Sequence, residues 1–179
     1  MKPTIVMVLS VVALAACAGA NDAFTPSVRL ITDDFDGALI VRQPPVGASS
    51  SLGETIHLLG FEWLQKTPDT VYVTAGLHGI SAITSLAFNA DGRVIEDIKE
   101  ASATTEFTRG PYPRSLRRFA MPLSDFAIVA AGKSVKMRVG GINAYTVSSF
   151  GSDNPAAAMV NPKFAPFIQQ IQEVRLKTR

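Results

Sequence analysis

Short alternating segments separated by turn-forming residues constrain the fold of this chain more than any other feature of its sequence. Leu59, Phe61 and Trp63 occupy every second position of one segment, and apolar and polar residues alternate from 134 to 139. A period of two places the apolar side chains on one face of a β-strand. Turn sequences such as Asn89-Ala90-Asp91-Gly92 close these segments, and helices do not alternate regularly with them. The pattern therefore favours antiparallel strands over a parallel sheet.

Two segments have the features of helices. Residues 124–131 begin at Ser124, a preferred N-cap residue, place Asp125 at the positive end of the helix dipole, and stop before Gly132. Near the C-terminus, apolar residues recur at spacings of three and four, namely Phe164, Phe167, Ile168 and Ile171. This spacing predicts a C-terminal helix near 163–176.

The predicted fold is therefore mainly β, of the β-rich α+β class. We expect an antiparallel β-sandwich or curled sheet with a short helix near 124–131. The C-terminal helix near 163–176 would cover an open face or edge of the sheet, because its apolar stripe must be buried.

The first seventeen residues differ in character from the rest. Lys2 precedes an apolar run from Ile5 to Ala16, which only Ser10 interrupts. A transmembrane helix needs about 20 apolar residues, so this run is too short and instead has the length typical of a signal peptide. Leu14-Ala15-Ala16-Cys17 resembles the lipobox of bacterial lipoproteins. The resemblance implies diacylglyceryl transfer to the Cys17 thiol, cleavage before Cys17, and acylation of the new amino terminus, for example with palmitate.

This resemblance divides the chain into a signal peptide (1–16), a lipidated tether (17–23) and a single β-rich globular domain (24–179). It also implies a cell-envelope protein held on a membrane by its lipid anchor. Ala18 stands where lipoproteins retained at the inner membrane of enterobacteria typically carry Asp. Outer-membrane placement is therefore expected if the source is a diderm bacterium. An ordinary cleaved secretory signal is the alternative.

Composition excludes several classes of function. Without Lys2, the mature chain would carry 16 Lys and Arg residues against 15 Asp and Glu residues. This near-neutral balance argues against nucleic-acid binding. Cys17 is the only cysteine, so the domain has no internal disulfide and no thiolate metal site.

Catalytic and metal-binding motifs are not found in the sequence. His57 and His78 lie 21 positions apart without a nearby carboxylate or thiol pattern, which makes them a poor metal site. The acids of Asp33-Asp34-Phe35-Asp36 lack the twelve-residue calcium loop. No G-x-S-x-G, H-E-x-x-H, P-loop or G-x-G-x-x-G sequence occurs. We therefore predict no catalytic residue, metal or cofactor.

One arginine-rich segment stands out from the neutral background. Arg109, Arg114, Arg117 and Arg118 fall within ten residues, together with Tyr112 and without an acid. Arginine forks suit phosphate and carboxylate groups, which an envelope protein meets at a bilayer. These five residues are the candidate surface for an anionic partner. The alternative is a solvated loop and edge strand, in which basic residues deter edge-to-edge pairing.

Two hypotheses of function follow. The first is a non-catalytic envelope module that binds an anionic lipid, glycan or envelope protein through the arginine-rich segment. The second is a hydrolase-like envelope enzyme whose site is assembled from residues distant in sequence. A deep pocket that holds His57 or His78 beside an acid and a serine would favour the enzyme. Exposed arginines on a flat surface would favour the binding module.

Overall fold

A computed structural model describes residues 25–49, 57–153 and 158–177. These residues form eleven strands and two helices. The strands are β1 (Arg29–Thr32), β2 (Leu39–Gly47), β3 (His57–Leu64), β4 (Thr70–His78), β5 (Ser85–Ala90), β6 (Arg93–Ile95), β7 (Lys99–Glu100), β8 (Glu106–Thr108), β9 (Arg114–Pro122), β10 (Val135–Gly140) and β11 (Tyr145–Phe150). The helices are α1 (Leu123–Ala131) and α2 (Asn161–Lys177). The predicted signal peptide and Cys17 lie outside the described residues.

The strands form two antiparallel sheets. The larger sheet has the order β1-β2-β3-β4-β9-β7, and β8 pairs with β9 on the same side as β7. The smaller sheet has the order β11-β10-β5-β6. The prediction of a mainly β, sandwich-like fold with a C-terminal helix is confirmed.

The alternation in the sequence decides which face of the larger sheet is buried. Leu59, Phe61 and Trp63 of β3 pair with alternate positions of β4, and both sets turn inward to the core. The intervening side chains, among them Glu62 and Tyr72, lie on the opposite side, which we call the outer face. A strand with period two thus gives the sheet one core face and one face toward solvent.

Phenylalanine rings join the larger sheet to both helices. The Phe61 ring lies 5.2 Å from Phe126 of α1, and 5.1 Å and 4.7 Å from Phe164 and Phe167 of α2 (centroid to centroid). Phe150 of β11 stacks on Phe164 at 6.0 Å. Each such pair contributes about 0.5–1.5 kcal/mol beyond the burial of its area. Phe164 of α2 therefore contacts both sheets and joins them in one core.

Both predicted helices are confirmed to within two residues at each end. The prediction that Ser124 caps α1 is wrong, because Pro122 is the N-cap residue and no side chain caps the helix. Instead, the carbonyl of Asp69 in the β3–β4 turn accepts the Leu123 N–H at 2.8 Å. A distant turn thus satisfies a donor that a local side chain usually satisfies. Within the described residues, neither helix is long and apolar enough to cross a membrane.

The predicted turn at Asp91-Gly92 joins β5 to β6. Both residues have positive φ, 51° and 90°, as a two-residue hairpin turn requires. The Asp91 carboxylate accepts backbone N–H groups from Ser134 at 2.7 Å and Lys133 at 3.0 Å. These hydrogen bonds hold the pKa of Asp91 below its ordinary value. The turn is thereby fastened to the segment that leads from α1 into β10.

Candidate functional site

A groove of about 780 Å³ lies on the outer face of the larger sheet. It crosses the end of β2, the start of β3, the end of β4 and the start of β9. The loop between β8 and β9 forms one of its walls, and Pro26 and Met159 contribute to its lining. The groove is therefore assembled from segments that are far apart in sequence.

The floor of the groove is aliphatic. Strand register places Gly47, Leu58, Gly76 and Leu116 side by side in one row across the sheet. A Cβ atom on Gly76 would lie 2.6 Å from Leu116 Cδ2 and 3.0 Å from Leu58 Cβ. The glycine thus lets the two leucines close over the backbone and form a continuous apolar surface.

The β8–β9 loop carries the charged edge of the groove. Thr108 Oγ1 accepts the Arg114 N–H at 3.1 Å and closes the loop at its base. Gly110 at the tip has a φ of 144°, which L side chains rarely adopt. Arg109, Tyr112 and Arg114 line the groove, and their side chains are exposed. Within the described residues, the side chains of Arg109 and Arg114 have no hydrogen bond, ion pair or ring contact.

Arg117 lies on the other face of the sheet, apart from the groove. It occupies the inward row of β9 and its side chain is only 10% exposed. Its guanidinium pairs with Glu100 at 2.6 Å and donates to the Ile83 carbonyl at 2.5 Å. Arg117 therefore holds the segment after β4 and strand β7 against β9.

Arg118 lies on the outer face but belongs to a neighbouring cluster. Its guanidinium pairs with Glu62, and it stands over the Tyr72 ring at 4.2 Å. Glu62 also pairs with Arg42. The structure thus brings Arg109, Tyr112 and Arg114 together at the groove, whereas Arg117 and Arg118 have partners within the chain. Strand β9 pairs with β4 on one side and with β7 and β8 on the other, so the edge-strand part of the alternative is wrong. Arg109 and Tyr112 do lie in an exposed loop, as the other part of that alternative predicts.

The two histidines have different environments. His57 is fully buried, and its Nε2 lies 2.9 Å from Thr146 Oγ1. His78, at the exposed end of β4, lines the groove and pairs in register with Arg114. The sequence analysis did not connect His78, Leu58 or Leu116 with the arginines. Only the pairing of β4 with β9 brings them together, and no local sequence signal reports that pairing.

The described lining of the groove does not bring together a histidine, an acid and a serine. Among the described residues that line it there is a histidine, but no serine and no acid. Nowhere in the described ranges do three His, Cys, Asp or Glu side chains come close enough to hold a metal ion. The guanidinium groups of Arg109 and Arg114 can donate hydrogen bonds to an anion beside the aliphatic floor of the groove.

No protein-family model, no curated protein and no solved structure matches the chain.

Proposed function

We propose that this protein is a lipid-anchored cell-envelope protein whose β-rich domain binds an anionic partner in the groove, without catalysis. The lipobox-like sequence at Cys17 supports the anchor, and Arg109 and Arg114 support the binding role. Two exposed guanidinium groups that line one groove and have no partners among the described residues can bind phosphate or carboxylate oxygens.

Binding of soluble anions to the full-length chain in neutral phosphatidylcholine nanodiscs tests the proposal. The probes are a short-chain phosphatidylglycerol, an oligosaccharide of uronic acids and an acidic peptide, which represent the three classes of partner. We expect at least one probe to bind, with an affinity that falls as salt rises from 0.05 to 0.5 M, because exposed charges are screened.

The double variant Arg109→Gln/Arg114→Gln should weaken that binding by about 100-fold or more, as expected for the loss of two charge-assisted hydrogen bonds. Lys133→Gln/Lys136→Gln is the matched control, since it removes the same charge from exposed positions outside the groove. Equal binding by wild type and the arginine variant, or no binding of any probe, would contradict the proposed function.

A further inference from the structure

We infer that the anionic partner is a membrane lipid, bound with its phosphate or other anionic headgroup at Arg109 and Arg114 and an acyl chain along the groove floor. This inference rests on the proposed function and names the class of partner. Three properties of the groove support it: the floor is apolar, the strands beneath it leave little room for an added peptide strand, and the start of the described chain lies beside it.

The floor suits a hydrocarbon chain. Leu58 and Leu116 lie next to each other, and Pro45 and Met159 line the groove near them. Met159 is 45% exposed, although a methionine side chain is ordinarily buried. An acyl chain that covers these side chains gains about 0.8 kcal/mol for each buried CH₂ group.

The groove is less suited to a peptide or a glycan. An extended peptide binds to a free sheet edge through main-chain hydrogen bonds. Where the groove lies over β3, β4 and the start of β9, each strand is paired on both sides. At the end of β2, Pro44 and Pro45 lack the N–H group that an added strand would need. A glycan needs polar groups along the floor, whereas the floor row holds only glycine and leucine, and the polar side chains His78, Arg114 and Thr108 form the next row along the strands.

The start of the described chain brings the groove close to the proposed anchor. Pro26 lines the groove, and its carbonyl accepts a hydrogen bond from Gln43 Nε2 at 3.0 Å. The carbonyl of Thr25 accepts one from Lys163 Nζ at 3.0 Å. Thr25 lies eight positions after Cys17, and an extended chain of that length reaches at most about 28 Å. A lipid anchor on Cys17 would therefore keep Thr25, and the groove beside it, within about 28 Å of the bilayer, where lipid headgroups are at hand.

Photocrosslinking in nanodiscs tests this inference. The full-length chain is placed in phosphatidylcholine nanodiscs that contain, at equal mole fraction, phosphatidylglycerol or phosphatidylcholine with a diazirine in the acyl chain. After irradiation, peptide mass spectrometry locates the crosslinks. We expect the anionic photolipid to label peptides that contain Leu116 or Met159 several-fold more than the neutral one.

Two variants separate the possible outcomes. Arg109→Gln/Arg114→Gln should reduce labelling by the anionic photolipid to the neutral level, and Lys133→Gln/Lys136→Gln should leave it unchanged. Equal labelling by both photolipids, or labelling elsewhere, would overturn the lipid inference. If soluble anions still bound in a manner that depends on Arg109 and Arg114, only the lipid inference would be wrong. If they did not, the proposed function would be wrong as well.

Discussion

Four arginines of one short segment have three different structural roles. Arg117 is nearly buried with Glu100, Arg118 shares Glu62 with Arg42, and Arg109 and Arg114 are exposed at the groove. The sequence predicted a basic cluster but not this division. Which face a side chain occupies depends on the register of β9 with β4, and a shift of one residue would exchange the faces.

At Arg117, the structure predicts a large effect on stability. Arg117→Gln should lower the free energy of unfolding by about 1–3 kcal/mol, because Glu100 and the Ile83 carbonyl lose their charged donor. Arg109→Gln, the matched surface change, should alter it by less than about 0.5 kcal/mol. Urea unfolding of the full-length chain, followed by the fluorescence of Trp63, measures both. Similar effects of the two substitutions would contradict the assigned roles.

At the scale of elements, the sequence predicted those helices and turns that depend on interactions between residues near each other in the chain. The stripe of apolar residues in α2 and the Asp91-Gly92 turn depend on neighbours in sequence, and both are confirmed. Strand β9 was considered only as an edge strand, because Leu116 on the outer face and Arg117 on the inner face interrupt its alternation. The partners that make this strand stable, Glu100 and Glu62, lie 17 and 56 residues away. The groove was missed for the same reason.

The buried face of α2 should be essential for stability. Ile171 is 2% exposed, so Ile171→Asp places an unpaired carboxylate in the core and should destabilise the domain by several kcal/mol. Leu176 of the same helix is 72% exposed, and Leu176→Asp should have little effect. Thermal unfolding followed by circular dichroism compares the two variants. An unchanged melting temperature for Ile171→Asp would mean that α2 does not pack as described.

At the scale of the whole molecule, the proposed function depends on two features: a proposed anchor at Cys17 and a groove near the start of the described chain. The lipobox-like sequence predicts the anchor from local residues alone. The groove combines four strands with the β8–β9 loop, and Pro26 and Met159 come from still more distant parts of the chain. No single segment of sequence carries its pattern, so the structure was needed to find it.

The proposed anchor at Cys17 predicts how the chain is processed. Cys17→Ser removes the thiol that would receive diacylglycerol, so the variant should accumulate as an unprocessed precursor and take up no labelled palmitate. Metabolic labelling in a bacterial host, with gel separation of precursor and mature forms, measures both effects. Normal processing and labelling of the variant would contradict the lipoprotein proposal, and processing without labelling of the wild type would indicate an ordinary secretory signal.

The central claim, that Arg109 and Arg114 contact an anionic partner at the membrane, can be tested most directly by arginine footprinting. A dicarbonyl reagent modifies accessible guanidinium groups, and peptide mass spectrometry gives the rate at each arginine of the full-length anchored chain. In phosphatidylglycerol vesicles, compared with phosphatidylcholine vesicles, Arg109 and Arg114 should react several-fold more slowly, whereas Arg93, which is exposed away from the groove, should not change. Equal slowing of all three arginines, or none at Arg109 and Arg114, would contradict the account.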